Sequence, residues 1–216
     1  MFGPILREQR AEPAFLAKLR PFDPGVLDED PCVVYGATPD FRIAYVNRAF
    51  TSFWGQNGGA AGGRSWGGIG TSLLGAIRGR LRGFYQRKFQ EALARQEPWV
   101  HTYQCSSPRE FRLYQMRVLP VPEAGWLVLN SLVEELPFAS GRRRAAPAVP
   151  DIYKNEQGML LQCSSCRRVR LARSSPPRWD WVPAFVEHVP AGTSHGICRA
   201  CVGYYYPEYA RPRDRS

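Results

Sequence analysis

Two C-x-x-C pairs constrain what the carboxyl-terminal part of this 216-residue chain can fold into. A C-x-x-C turn places two thiols side by side, and two such turns can supply the four sulfurs of a structural zinc site. The block 155–216 that contains both pairs is small, and blocks of that size usually need a metal or disulfides for stability. We therefore predict a zinc-binding module over residues 155–216. Its predicted ligands are Cys163, Cys166, Cys198 and Cys201.

Other uses of the four cysteines are less well supported by the sequence. A redox C-x-x-C pair usually lies near a βαβ pattern, and no such pattern surrounds either pair. An iron–sulfur cluster can also use four cysteines, so it stays an alternative to zinc. His195 lies three residues before Cys198. It is a candidate alternative ligand, a donor to a thiolate, or an ordinary residue of a surface turn.

Composition shifts divide the chain into four segments. Residues 137–154 carry several prolines and the basic run Arg142–Arg144, and they keep no apolar period, which is typical of a linker. The block 31–136 before this linker is long enough to bury its own core. Residues 1–30 are predicted to form a short helix and a loop that cap this block.

The pattern in the block 31–136 predicts an α+β fold. Two apolar runs separated by turn residues predict a hairpin, and Asn47 is placed to cap a helix that follows it. A stripe from Ile77 to Leu93 predicts a longer helix. Three strand-like runs then close the block, so we expect an antiparallel sheet with a helical middle. These closing runs are Trp99–Cys105, Glu110–Leu119 and Trp126–Glu134.

The hairpin that ends in Ile43-Ala44-Tyr45-Val46-Asn47-Arg48-Ala49-Phe50 resembles the PAS pattern of a strand running into Asn-x-x-Phe. The element order of the block agrees with this resemblance. It implies a PAS-like domain over 31–136 that senses a small ligand, binds a cofactor or dimerises. Haem is disfavoured because residues 71–95 contain no histidine, and flavin because the Asn-Cys-Arg-Phe-Leu-Gln run of flavin photosensors is absent.

Residues outside these motifs have simpler explanations. Cys32 and Cys105 lie on predicted strands and are expected to be small buried residues. His101 is expected to be an ordinary sheet histidine.

The carboxyl-terminal block resembles an extension found beside bacterial PAS and receiver modules. In that pattern, a C-x-x-C with basic residues precedes a Trp, a helix and Ser-His-Gly-Ile-Cys-x-x-Cys. The positions match at Cys163–Arg168, at Trp179 and at Ser194–Cys201. The resemblance implies a zinc-ribbon-like fold and a metal rather than an activity. The helix is predicted from Trp179 through Val186, and the run Tyr204-Tyr205-Tyr206 is predicted to pack on the metal module.

Charge leaves two classes of function open. The formal net charge is +10, and residues 141–216 hold 13 Lys+Arg against 6 Asp+Glu, which gives +7. A basic zinc module with Arg142–Arg144 suits nucleic acid, so a nucleic-acid-binding regulator is the alternative function. No nucleophile–base pair or open metal site is visible, so we expect no enzymatic activity. The main expectation is a sensory signalling protein.

Location and partners follow from simpler features. No apolar run is long enough to span a membrane, and the amino terminus lacks the long apolar segment of a secretory signal. We therefore expect a cytoplasmic protein with reduced thiols. The closing strands are apolar on both faces, and Phe15, Leu16 and Leu19 form a stripe able to cover one of them. This favours a homodimer through the PAS-like domain and the amino-terminal helix, with an unidentified protein as the signalling partner.

Overall fold

The described chain forms two compact units in a computed structural model. The first unit contains residues up to 77, 85–102 and 114–132, and the second contains 78–84, 103–113 and residues from 133 onward. Segment Arg142–Arg144 and residues 1–9 lie outside the described part. The structure describes residues 10–20, 22–56, 68–77, 79–107, 109–137 and 145–210.

A five-stranded antiparallel sheet organises the amino-terminal half of the chain, with the strand order β2-β1-β5-β4-β3. The strands are β1 (Val33–Ala37), β2 (Ile43–Val46), β3 (Trp99–Gln104), β4 (Glu110–Val121) and β5 (Gly125–Pro137). The helices are α1 (Pro13–Lys18), α2 (Pro24–Glu29), α3 (Arg48–Gln56), a 3-10 turn (Leu73–Ala76) and α4 (Leu81–Arg95).

The first unit buries both faces of its sheet. On one face, Trp126 packs against Phe41 and Phe89, and its indole N–H donates to the Phe89 carbonyl at 2.8 Å. On the other face, Phe15 and Leu19 of the α1 region are buried in one cluster with Leu127, whose side chain points opposite to that of Trp126. The amino-terminal apolar stripe therefore covers the sheet of its own chain.

Close approach of α1 to the sheet requires a glycine at position 36. A Cβ atom on Gly36 would lie 2.2 Å from the ring of Phe15. Such a distance is well inside van der Waals contact, so the glycine lets the aromatic ring lie directly on strand β1.

Asn47 connects the hairpin, α2 and α3 at the centre of the first unit. Its side chain is fully buried. The amide oxygen accepts from the N–H groups of Val34 at 3.0 Å and Phe50 at 2.9 Å, which confirms the predicted helix cap. The amide nitrogen lies within donating distance of the carbonyls of Leu27, Asp30 and Cys32, at 2.8–3.2 Å. One side chain thus satisfies backbone groups from three elements.

Two predicted element boundaries in the first half of the chain are wrong. The long helix begins at Leu81 rather than at Ile77, because Gly79 has a φ of +62° that interrupts helical geometry. The amino-terminal segment contains a second helix, α2, where a loop was expected. Asp23 caps it by accepting from the Gly25 N–H, and Pro24 suits its first turn.

The second unit contains a four-stranded mixed sheet in the order β8-β7-β6-β9, in which β6 and β9 run parallel. Its strands are β6 (Leu160–Cys163), β7 (Val169–Arg170), β8 (Trp179–Asp180) and β9 (Thr193–Gly196). Its helices are α5 (Pro150–Tyr153), α6 (Pro183–Glu187), α7 (Arg199–Tyr205) and α8 (Pro207–Ala210). Within the described residues, its apolar core is small and includes Tyr153, Leu160, Val169, Val182 and Phe185.

The predicted helix from Trp179 to Val186 is wrong in its first half. Trp179 lies in β8, where it pairs with Arg170 of β7, and the helix begins only at Pro183. Proline at the first helical position fixes φ but lacks an N–H for an earlier helical turn, so the helix starts there.

Part of the segment predicted as a linker contacts the second unit. The Ala146 N–H donates to the Trp181 carbonyl at 2.8 Å, and Tyr153 is 2% exposed within the apolar core. Residues 145–154 therefore pack on the rest of the second unit, to which they belong, and 138–144 lie outside the described residues.

We expect Asn47→Ala to destabilise the first unit by about 3 kcal/mol or more, because it leaves several buried backbone groups without partners. Chemical denaturation followed by tryptophan fluorescence measures this change. Ser52→Ala, an exposed position on the helix that Asn47 caps, is the control and should stay within about 0.5 kcal/mol of the parent. An Asn47→Ala protein as stable as that control would contradict the connecting role.

His101 is expected to make the first unit less stable in mild acid. It is buried on β3, stacked on Trp99 at 5.1 Å, and burial lowers its pKa from 6.5 to about 4. As pH falls below about 6.5, the unfolded chain binds the proton first, so stability declines until the folded form also takes it up near pH 4. The loss should be about 3 kcal/mol.

The comparison of the parent with His101→Phe isolates this effect from the carboxylates that titrate in the same range. The phenyl ring keeps the stacking on Trp99 but cannot be protonated. We expect the variant to show a flatter dependence of unfolding free energy on pH between 4 and 7. Equal slopes for the two proteins would show that His101 does not contribute.

Candidate metal centre

Four sulfur atoms converge at one end of the second unit. The Sγ atoms of Cys163, Cys166, Cys198 and Cys201 all lie within 4.8 Å of one another, and those of Cys166 and Cys198 are 3.7 Å apart. A tetrahedral zinc–thiolate site has Zn–S bonds of about 2.3 Å, which places its sulfurs roughly 3.8 Å apart. The cluster therefore has dimensions that can hold a metal ion.

The first pair lies in the turn between β6 and β7. The Cys163 N–H donates to the Arg168 carbonyl at 2.8 Å, and the Arg167 N–H donates to the Cys163 carbonyl at 3.1 Å. Arg167 adopts a left-handed conformation with a φ of +61°. This tight turn reverses the chain immediately after Cys166, so both thiols stay on the same side of it.

The second pair lies at the start of α7. Cys198 is the residue that precedes the helix, and Cys201 lies in its first turn, so the helix brings both thiols to its amino-terminal end. The Cys198 N–H donates to the Cys163 sulfur at 3.4 Å. This hydrogen bond joins the two pairs and favours the ionised form of Cys163.

Parallel pairing of β6 and β9 brings the two pairs together. Cys163 pairs with Gly196, and the Ser164 N–H donates to the Gly196 carbonyl at 2.8 Å. Cys198 follows Gly196 by two residues. The local register thus fixes the distance between two turns that are far apart in the sequence.

Hydrogen bonds within the cluster favour a thiolate at Cys163. Its pKa lies far below the ordinary cysteine value, because the neighbouring thiols of Cys166, Cys198 and Cys201 can hydrogen-bond to the ionised sulfur. Cys163, Cys166 and Cys198 are buried. Several buried thiols in mutual contact are costly to ionise together without a cation, and a bound metal removes that cost.

Aromatic side chains enclose the cluster. Trp179 packs against the cysteines from β8. The Ser165 hydroxyl, between the first two ligands, lies 3.2 Å from the Tyr205 hydroxyl on α7. Tyr205 is buried, as the prediction for the tyrosine run required, whereas Tyr204 is 54% exposed. Sequence reasoning missed Ser165, which the C-x-x-C spacing marks only as an intervening residue.

The other candidate residues are not members of the sulfur cluster. His195 is on strand β9 rather than in a turn, where it pairs with Gln162, and it is not one of the clustered ligand residues. Cys32 is half-buried, with its sulfur 3.3 Å from the Ser131 hydroxyl. The expectation of a buried Cys105 is wrong, because it follows the last residue of β3 and is exposed.

The fold of the amino-terminal half agrees with a known family. Residues 27–133 match the family model described as PAS fold. This match supports the resemblance drawn from Asn47 and Phe50 and an α+β PAS fold over these residues. It does not extend to the cysteine cluster. A comparison with curated proteins gave no match. Within the described residues, no helix combines the length and apolarity needed to cross a bilayer.

Loss of a side chain that only hydrogen-bonds to a metal ligand typically weakens metal binding roughly 10–100-fold. We expect Cys198→Ser to weaken it by more, because this change removes a ligand and the residue that precedes α7. Metal analysis after purification without chelator measures the stoichiometry. Hydrogen exchange of residues 145–210 should rise together with the loss of metal, since the apolar core of the second unit is small.

Cys105→Ser is the matched control, because it removes an exposed thiol from the same chain. It should retain metal and exchange like the parent. Equal metal content in both variants would contradict the assignment of Cys198 as a ligand.

Proposed function

We propose that the protein is a non-enzymatic sensory signalling protein. Its PAS domain senses a small ligand or dimerises, and a zinc-ribbon-like module built on the four cysteines passes the resulting state to a protein partner. One observation carries this proposal: the first turn of α4 belongs to the second unit, and the later residues of the same helix belong to the first.

Helix α7 holds the beginning of α4 within the second unit. The ring of Phe84 packs edge-on against Tyr205 at 5.2 Å and against Tyr206 at 5.7 Å. The Tyr206 hydroxyl donates to the Arg80 carbonyl at 2.8 Å. A Cβ atom at Gly79 would lie 2.8 Å from the Ser164 hydroxyl, so this segment also passes close to the first cysteine pair.

The later residues of α4 belong to the PAS core. Phe89 and Ala92 are buried, and Phe89 packs on Phe41 and Trp126. A continuous helix transmits a shift at one end to the other because its backbone hydrogen bonds resist local bending. This helix is therefore a route by which the state of the PAS domain reaches the metal module.

The chemistry of the cysteine cluster supports a structural role for the metal. Four thiolates are the ligand set of closed structural zinc sites, which keep no position for a substrate water. Zinc at this cluster supplies a cross-link between the β6–β7 turn and α7. An iron–sulfur cluster is the alternative occupant, and its visible absorption distinguishes it from zinc, which has no redox chemistry or colour.

We further propose that the PAS domain forms a homodimer. Phe15 and Leu19 already lie in the core of their own chain, so they are not available to a second copy. Val26 on α2 is 67% exposed and Leu132 on β5 is 49% exposed, and these apolar side chains are available for an interface.

The absence of haem and flavin and the cytoplasmic location stay expectations from the sequence.

Removal of the metal with a chelator tests the relay. We expect faster amide exchange not only near the cysteines but also in residues 85–95 of α4, by about tenfold, because α7 no longer holds the start of that helix. Hydrogen exchange followed by mass spectrometry measures both regions. Unchanged exchange in 85–95 after complete loss of metal would contradict the relay.

A pair of tyrosine variants gives the matched control for that experiment. Tyr206→Phe removes the hydrogen bond to Arg80 and should raise the exchange of α4 with metal still bound. Tyr204→Phe removes only the hydroxyl of a half-exposed ring and keeps its edge-on packing against Tyr205 at 5.1 Å, so it should behave like the parent. Equal effects of the two variants would show that the contact between α7 and α4 does not carry the relay.

Nucleic acid is the second candidate partner. Tyr209 is 72% exposed and Tyr204 is 54% exposed, and both belong to the basic carboxyl-terminal block, where exposed aromatic rings can stack on bases. Under the signalling proposal, binding to random-sequence duplex or single strands at physiological salt should be no tighter than the roughly micromolar affinity of non-specific binding. Tighter binding that Tyr209→Ala abolishes would favour the nucleic-acid-binding regulator instead.

A further inference from the structure

A cavity in the second unit lies apart from the cysteine cluster. Its volume is about 220 Å³, and it is lined by residues of β6, β7 and β9 and of the segments beside them. The walls are mainly apolar and include Met159, Leu160, Leu161 and Ala172. None of the four cysteines lines it.

Arg170 is the charged residue of this cavity. Its Nε atom is buried, and within the described part of the chain it has no hydrogen-bond partner. The described residues also contain no ion pair to Arg170. An arginine is always protonated at physiological pH, and a buried charged donor without an acceptor costs more than the roughly 1–3 kcal/mol of a neutral one.

The acidic residue on the neighbouring strand does not neutralise Arg170. Asp180 pairs with Val169, whereas Arg170 pairs with Trp179, so the pleat directs the side chains of Asp180 and Arg170 to opposite faces of the sheet. The carboxylate of Asp180 is already bound. It accepts from Arg178 at 3.0 Å and from the Tyr153 hydroxyl at 3.1 Å.

We propose that this cavity binds a small organic acid through Arg170. The terminal NH₂ groups of a guanidinium form a planar fork that matches a carboxylate, and Ser194, which also lines the cavity, supplies a hydroxyl. Leu161 and Met159 accommodate the hydrocarbon part of the acid. The combination of one cation with apolar walls selects a carboxylate attached to an apolar body over a bare inorganic anion.

The site does not depend on the proposed relay or on the PAS ligand. It adds a ligand-binding function to the metal module itself. Because β6 also carries Cys163, a ligand in this cavity contacts the strand that supplies the first sulfur.

Benzoate is a suitable probe, with acetate, inorganic phosphate and benzylamine as comparators. The metal-loaded full chain is titrated while the arginine Nε–H signals are followed by nuclear magnetic resonance, and the signal of Arg170 is assigned from Arg170→Lys. We expect benzoate to shift this signal with a Kd of about 1 mM, a value reasonable for a ligand of its size. Acetate and phosphate should bind at least about tenfold more weakly, and benzylamine should not bind.

Arg170→Gln should lose benzoate binding by at least about tenfold, whereas Arg173→Gln, which removes an exposed arginine of the same module, should bind like the parent. Metal content and circular dichroism show whether each variant is folded. The titration of the parent protein tests the proposal by itself, so the test still holds if a variant fails to fold.

Three results would overturn the proposal. The first is no shift of the Arg170 signal in the parent at about 10 mM benzoate, which would mean that water alone satisfies the guanidinium. The second is equal binding of phosphate and benzoate, which would contradict the role of the apolar walls. The third is equal loss of binding in folded Arg170→Gln and Arg173→Gln.

Discussion

The convergence of four sulfurs is the constraint on which the second unit depends. The strands β6 to β9 of its own sheet are two to four residues long, and the apolar core formed by its described residues contains five buried side chains, so burial alone gives it little stability. The cysteine cluster ties the β6–β7 turn to α7, and α7 carries Tyr205 and Tyr206, which hold the beginning of α4. Under the proposal made above, a metal bound at this cluster would order the module together with the first turn of α4.

In the first unit, a single buried amide side chain holds several elements together. Asn47 connects three elements through buried hydrogen bonds, whereas the apolar clusters around Trp126 and Leu127 fill the two faces of the sheet. Buried polar groups of this kind fix one arrangement of the backbone because every alternative leaves them unsatisfied. Such a fixed arrangement suits the proposed sensory role, since a ligand can shift only an equilibrium between defined states.

The sequence predicts the elements that have a strong local signal. Asn47 and the hairpin before it, the three closing strands and the four cysteines were all identified from pattern and spacing. It predicts poorly where tertiary pairing competes with local periodicity. Trp179 shares a helical period with Val182 but pairs with Arg170 in a sheet. The positive φ of Gly79 moves the start of α4, and the contacts of Phe84 with α7 join residues too distant in sequence for any periodic signal.

X-ray absorption spectroscopy of the purified protein at the zinc edge tests the central claim most directly, because it reports the identity of the metal and its neighbouring atoms together. The expected result is a single shell of four sulfur atoms at about 2.3 Å, with no nitrogen or oxygen ligand. A shell containing nitrogen or oxygen would show that fewer than four cysteines bind the metal and that the site is not closed. An iron edge with sulfide-bridged neighbours, or no bound metal at all, would contradict the structural zinc module.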